Sequence, residues 1–507
     1  MTALRSQDWK AAALLALVVA LLYLPFYSGR FTSTDELAVF EMTQSLFESG
    51  DLTVPEIQHT GLGPSGERFS LFAPGQSLLA LPHYAIARGL KRILPATVVD
   101  DVRGRDIYVQ GTNRFGGRLE IAVVGSFGLV ATALLVAAYF LFQRDLGARP
   151  RTALLAAGLL ASATYLGSLS SYFLRHPTET LFILVSLFAL RRWHLQRERR
   201  WLWIATSCAS AIVLLRVPSA VYGVAFGGAL LTSGARRFGK ASGRDTLLDV
   251  LAVAAPLLVA LASHAALNHY RWGTLFASPM TAQSAILDHP LWLGASGLLF
   301  SPGVSLFAYS PLLLLSPWLL WSLRKREPLV VGTVVAVFAC FVLFVGSYRH
   351  WPGLWTAPGP RYLYQSIPLL LLPLGPWLEG KPARRSWVWS LAIPGFLVQL
   401  GLLLTPWSAT VAHMGYAAMG PEGPFLWSLA SGPIPGTFET LFVRQEPGPW
   451  LWKLAAGWPG HPPAPLRAVG WLGAWFIAIL PAVWALRKAV NAAETADLAS
   501  EPPGRNE

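Results

Sequence analysis

The sequence predicts an all-α protein, a polytopic transmembrane helical bundle of about twelve spans with amphipathic surface helices in a long first external loop. Three observations predict it. First, 53% of the 507 residues are hydrophobic and only 13% are Asp, Glu, Lys or Arg, roughly half the charged share of a soluble domain; the mean hydropathy is +0.46. Second, the apolar residues gather into runs of roughly 20, the length a helix needs to cross about 30 Å of hydrocarbon. Third, the basic clusters sit at the ends of those runs and all fall on the cytoplasmic face when the N-terminus is placed inside.

Taken in order, Arg5 to Lys10 and the apolar Ala11 to Phe26 carry the charge pattern of a signal peptide. No small-residue cleavage site follows the Leu24-Pro25-Phe26-Tyr27 end of the run, so the stretch is read as a retained first span that starts in the cytoplasm. Spans are expected at 9–28, 118–142, 152–173, 177–192, 201–217, 218–233, 246–267, 299–322, 328–346, 361–378, 386–405 and 466–486. The charge check rests on Arg144/Arg149/Arg151, Arg191 to Arg200, Arg236/Arg237/Lys240/Arg244, Arg324/Lys325/Arg326, Lys381/Arg384/Arg385 and Arg487/Lys488. It requires 201–233 to be two short helices with Pro218 near the turn, and it requires 71–94 not to cross.

Residues 1–488 then form one transmembrane domain, with both termini cytoplasmic and a disordered tail at 489–507. External segments are expected at 29–117, 268–298 and 406–465. The first holds stretches Asp35 to Phe47 and Gln76 to Leu90, read as helices lying along the membrane surface. Asn268, Tyr270, Arg271 and Trp272 fall in the second, and Trp427, Trp450, Trp452 and Trp458 in the third. The 21 tryptophans suit rings seated at headgroup level.

The net charge of +13 does not point to nucleic acid, because the basic residues flank spans. Cys208 and Cys340 stand alone within apolar runs, which excludes a disulfide framework and a cysteine metal site. No Gly-rich phosphate loop is present, and no internal repeat argues for an inverted-repeat transporter.

Charge close to hydrocarbon is costly, so polar residues at span ends are the candidates for chemistry. They gather on one face. Asp35 and Glu36 follow the first span, and Arg175-His176-Pro177-Thr178-Glu179 turns between the third and fourth. Arg216 precedes Pro218 in an apolar stretch, Arg349 and His350 follow the ninth span, and Arg361 and Tyr362 open the tenth. Carboxylates act as bases and guanidiniums hold phosphate bidentately. Each has an ordinary alternative: wet loop acids, interface-anchoring arginines, loop histidines, or a structural ion pair at Arg216. The histidine spacing matches no zinc pattern.

Four ordered motifs carry a family resemblance. They are Asp35-Glu36 followed by Phe40, Glu41 and Gly50-Asp51-Leu52; the stretch Arg68 to Pro82 containing Phe72-Ala73-Pro74-Gly75; Phe300 to Pro311; and Gly359-Pro360-Arg361-Tyr362-Leu363 with Pro368. The chain resembles the GT-C superfamily of membrane glycosyltransferases, close to the bacterial dolichyl-phosphate-mannose protein mannosyltransferase-like and lipid A aminoarabinose transferase-like group. The resemblance extends to about residue 380, and the C-terminal third shares only general character.

That resemblance implies a hexosyl or pentosyl transferase of the plasma (inner) membrane, working on its extracytoplasmic side. The donor would be a polyprenyl-phosphate-linked sugar and the acceptor a glycan, lipid or protein hydroxyl, with inversion at the anomeric centre. It places the catalytic base on Asp35, with Glu36 as alternate, and the donor phosphate on Arg361. Arg216 and Arg349 are added as phosphate ligands from their location, and Arg175, His176, Glu179, His350, Arg68 and Tyr362 as supporting residues. The family often uses a divalent metal, but no ligand set stands out here, so no metal residue is assigned. A transporter or flippase for lipid-linked glycans would place charges deep within several spans, and here midspan positions are almost all apolar. An O-antigen ligase-like enzyme would rely on a long late loop rather than an acid after the first span.

Overall fold

The structure is a computed structural model describing residues 4–31, 33–95, 118–238, 243–276, 287–379, 384–415, 420, 423–445, 448–456 and 463–499. Arg236 and Arg237 lie in its helices without described side chains; Lys240, Lys381 and Trp458, the expected loop to residue 117 from 96, and the tail from 500 lie outside the described residues.

Among the described residues, six helices are long and apolar enough to cross a membrane: Ser6–Phe26, Leu119–Asp145, Arg244–Trp272, Pro328–Gly346, Arg384–Leu404 and Pro465–Ala499. Their outward positions, such as Leu258, Val259, Ile477 and Leu480, remain exposed, as lipid-facing side chains should. The chain is thus a predominantly helical polytopic membrane protein. The expected pair in 201–233 is present as α8 (Arg199–Leu215) and α9 (Val221–Phe238), separated at Arg216 to Ala220.

Three expected spans are broken instead: 152–173 keeps its helix only over Pro150–Ser162 and gives way to a 3-10 turn at Ser168–Ser171, and two later ones are interrupted at prolines. Residues 299–322 leave α11 (Leu291–Phe300), pass a turn and the short helix Leu306–Tyr309, and resume as α12 (Ser316–Leu323). Residues 361–378 form a 3-10 turn and two short helices, Ser366–Leu370 and Leu374–Glu379. Pro302, Pro311 and Pro317 interrupt 299–322, and Pro368, Pro373 and Pro376 interrupt 361–378. Each removes a backbone donor, and a helix cannot run through it without a clash with the preceding turn, so Pro311 and Pro317 stand at the starts of new segments. Apolar composition alone does not reveal this.

In the first loop, α2 (Thr34–Glu48) opens on a capping box. The Ser33 hydroxyl accepts from the Glu36 backbone N–H, and the Glu36 carboxylate accepts from the Ser33 N–H at 3.1 Å. The expectation of a surface helix fails for α2, which is buried from Asp35 through Ser45. It holds in character for α3 (Gly75–Ile93), whose Ala80, Tyr84 and Ala87 face inward while Leu79, Ile86 and Ile93 face out. Tyr84 packs on Phe40 and Phe47 of α2, with ring centroids 6.1 and 5.1 Å apart. An antiparallel hairpin, β1 (Thr60–Leu62) and β2 (Arg68–Ser70), covers the loop.

Helix α7 (His176–Gln196) links the two ends of the bundle, and its rise places His176 roughly 22 Å from Arg191. At the Arg191 end lies a buried ionic network. Arg144 bonds Asp8 and Asp497, each at 2.7 Å, and Arg191 bonds Asp145 and Glu327. This network corrects the expected tail. The last helix, α15 (Pro465–Ala499), continues past Lys488 because Ala489, Val490 and Ala493 are buried and Asp497 is tied to Arg144.

Candidate active site

The other end of α7 gathers the candidate residues. Asp35 is buried in the first turn of α2, just after the Ser33 cap. Its Oδ2 accepts a hydrogen bond from Arg361 Nη1 at 3.2 Å, and its Oδ1 lies 3.2 Å from His59 Nε2. Burial pushes the Asp35 carboxyl up, but Arg361, His59 and Arg175 outweigh it and hold the group below its ordinary value. Asp35 is therefore ionised at neutral pH.

Arg361 is placed by its own motif. Gly359 has φ +67°, and a Cβ there would come within 2.8 Å of the Tyr309 ring and 3.0 Å of Tyr165. Only glycine meets both demands without strain. Arg361 Nη2 donates to the Tyr362 hydroxyl at 3.0 Å. The Tyr362 ring is flanked by the Arg361 and Arg216 guanidiniums, each 4.9 Å from its centroid.

Arg216 enters because α8 stops at Leu215 and Arg216 adopts extended backbone, φ −160° and ψ 110°. The Pro74-Gly75 turn packs directly on this end: a Cβ on Gly75 would sit 2.5 Å from the Leu214 carbonyl oxygen. Arg216 Nη1 lies 3.8 Å from Glu179 Oε2 on α7. Arg175, at the N-cap of α7, lays its guanidinium over Phe72, 4.2 Å from the ring centroid. Burial and the Arg216 charge push Arg175 down to about 10, against the pull of Asp35 and Glu179. His176 is driven well below its ordinary value by burial, then by Arg216, Arg361 and Arg175, and is neutral.

Several buried polar atoms here have no hydrogen-bond partner among the described residues: both ring nitrogens of His176, both carboxylate oxygens of Glu179, and Arg361 Nε. Orphans of this kind are rare in folded chains and mark places a ligand or water completes.

The structure thus brings together Asp35, Arg175, His176, Glu179, Arg216, Arg361 and Tyr362. It separates others. Arg349 pairs with Asp288 where both side chains are about half exposed, 52% and 50%, and Arg68 pairs with Glu56 at 2.6 Å on the hairpin. Neither joins the cluster, because each is satisfied by a nearby loop acid. His350 meets Tyr348 and Trp355 edge to face, one ring removed from Tyr362. Glu36 spends its oxygens on the Ser33 cap and on the Phe173 N–H, 2.7 Å away.

Two members carry no role assigned from the sequence. Tyr348 faces Tyr362 with centroids 6.0 Å apart, and burial followed by Tyr362 pushes its phenol up to about 12. His59 lies in a polar loop 24 residues from Asp35 and has left-handed backbone, φ +66°. The hairpin fixes it: its carbonyl accepts from the Leu71 N–H at 2.9 Å. Among the described residues no three His, Cys, Asp or Glu side chains gather to hold a metal ion. Asp35 and His59 beside the Arg361 and Arg175 guanidiniums do not fit a divalent cation.

Residues 105–226 match the family model described as dolichyl-phosphate-mannose-protein mannosyltransferase. The matched stretch agrees with the resemblance to GT-C membrane glycosyltransferases and lies between the second and third of the motifs that carry it. No curated protein matches the chain. Similar solved structures include ArnT from Cupriavidus metallidurans bound to undecaprenyl phosphate, at 14% identity and TM-score 0.48 over 96% of this chain and 76% of that one. The same protein in its apo state has 14% identity and TM-score 0.44 over 96% and 75%. The apo oligosaccharyltransferase from Archaeoglobus fulgidus has 11% identity and TM-score 0.45 over 78% and 56%. None of the three reaches a TM-score of 0.5.

Proposed function

We propose that this membrane protein transfers a sugar from a polyprenyl-phosphate-linked donor to an acceptor hydroxyl outside the cytoplasm, with inversion and with Asp35 as general base. The observation that carries the reading is a buried, ionised Asp35 set among the guanidiniums of Arg361 and Arg175, with Arg216 across the Tyr362 ring. The acceptor oxygen attacks the anomeric carbon while its proton passes to Asp35, and the bond to the phosphate oxygen breaks on the opposite face. Negative charge grows on the departing lipid phosphate. Arginines fixed in a poorly hydrated setting stabilise it better than water, which must reorient. Arg361 and Arg216 hold that phosphate, while Arg175, His176, Glu179 and Tyr362 shape the surroundings.

The reading includes a topology of about twelve spans with both termini inside, argued from the basic clusters. A polyprenyl chain then reaches the site from the bilayer. The test is Asp35→Asn in membranes supplied with polyprenyl-phosphate sugars. Turnover should fall by about 10²- to 10⁴-fold, while the variant still inserts and retains its helicity. Undiminished transfer by Asp35→Asn removes Asp35 as the base. Mass spectrometry of lipids and glycans from cells with and without the chain identifies the sugar and acceptor.

A further inference from the structure

Both carboxylate oxygens of the base are engaged within the fold. Its Oδ2 is engaged by Arg361 and its Oδ1 by His59, both at 3.2 Å. An oxygen already held in a charge-assisted hydrogen bond is a poor acceptor for a hydroxyl proton. Arg361, for its part, has a buried Nε–H without a partner, so one edge of its fork is unused. A guanidinium presents five donors in a plane that matches phosphate bidentately. A second cation, Arg216, waits across the Tyr362 ring.

We propose that Asp35 and the donor phosphate compete for Arg361, and that His59 keeps hold of Asp35 when the phosphate prevails. The base is then released only with the donor in place. This rests on the donor reading above and adds an order to it: donor first, acceptor second. His59 suits the holding role. Its backbone is pinned by the Leu71 N–H, its ring lies against Phe72 at 5.6 Å, and it contacts the oxygen that Arg361 does not. It is a positioning residue, keeping the carboxylate aimed while Oδ2 turns to the acceptor. Without it, surrender of Arg361 would leave a buried carboxylate poorly compensated. Arg175 remains nearby, over Phe72.

Competition has a signature that a base acting only on the acceptor lacks: it changes donor affinity. The probe is farnesyl phosphate, titrated calorimetrically into the purified full chain in nanodiscs at fixed pH and salt. Asp35→Asn should bind it about tenfold tighter, equivalent to about 1.4 kcal/mol. Asp35→Ser carries the same expectation should the Asn variant not fold. His59→Ala should weaken binding about fivefold, and His59→Gln, which keeps an N–H donor, should return most of that loss. Unchanged or weaker binding in the Asp35 variants overturns the exchange, as does unchanged binding in His59→Ala. Wild-type protein that does not bind the probe, or binds it equally well after Arg361→Ala, overturns the donor reading and the exchange together. Arg361-dependent binding that ignores Asp35 overturns the exchange alone.

Discussion

Truncating Arg361 to alanine separates its structural task from its chemical one. In the folded chain it is the buried partner of Asp35, with side-chain exposures of 8% and 12%, so solvent screens the pair little. Removing one member of such a pair strands the other and costs about 3–5 kcal/mol. His59 and Arg175 remain near Asp35, which places the loss at the lower end, about 3 kcal/mol. Removing the acid as well should return most of it, because the Asp35→Asn/Arg361→Ala chain has no stranded charge. Donor binding behaves differently. The phosphate loses a charge-assisted hydrogen bond worth about 1.5–3 kcal/mol, a roughly 10- to 150-fold rise in Kd, and neutralising Asp35 cannot restore it. Thermal unfolding followed by circular dichroism reads the first effect, and farnesyl phosphate titration reads the second. The reasoning is refuted if the double variant regains wild-type donor affinity, or if Arg361→Ala raises only the KM for the acceptor.

Three further outcomes follow from the same geometry. Because the folded-state pKa of Asp35 is depressed, its pairing contributes fully above the unfolded value near 3.9 and is lost as pH falls through the folded value; the Tm gap between wild type and Asp35→Asn should therefore close below about pH 4, and a gap that persists at lower pH speaks against the pairing. Gly359→Ala should destabilise the chain by at least about 1–3 kcal/mol through its left-handed backbone and the nearby Tyr309 and Tyr165 rings, seen as lower folded yield on size exclusion; wild-type yield would contradict the motif's role. For sidedness, a membrane-impermeant maleimide should label Ser65→Cys on the hairpin turn from outside intact cells and should reach Glu494→Cys only after permeabilisation; the reverse pattern turns the site inward.

Much of the arrangement was legible before the structure. The helices α2 and α3, the break before Pro218 and the six long apolar helices follow from caps, prolines and run length, all of which are local. The meeting of Asp35, Glu179, Arg216 and Arg361 was legible because each stands at the end of an apolar run on one face. What escaped depends on distant partners. His59 carries no local mark, since a histidine in a polar loop acquires its neighbour only when the hairpin folds over α2. Arg349 and Arg361 look alike in sequence, each beside an aromatic residue, yet Asp288 claims the first at the surface. The stretch Asp35 to Phe47 is amphipathic and so predicts a surface helix, yet Glu41, Thr43 and Gln44 are buried in α2.

The two ends of the bundle show why one is read as a site and the other as a fastening. Both bury charge, so burial alone does not distinguish them. At the far end Arg5, Arg144, Arg191 and Arg192 meet Asp8, Asp145, Glu327 and Asp497, four guanidiniums for four acids, all within 3.6 Å of a partner. There the first, second and last spanning helices, with α7, are tied by pairs that satisfy one another. At the near end, among the described residues, Arg175, Arg216 and Arg361 are drawn to Asp35 and Glu179, with the nearest Arg216–Glu179 approach at 3.8 Å. Each guanidinium also stands where a helix begins or ends, at the α7 cap, after α8, or in the turn behind Gly359. Irregular backbone at membrane depth is tolerated where it is enclosed by protein or lines a cavity. A network whose charges balance has no need of a ligand. A buried group of cations that its own acids leave unbalanced is stabilised by an anion from outside, and a phosphate at a lipid's head reaches such a place without crossing the bilayer.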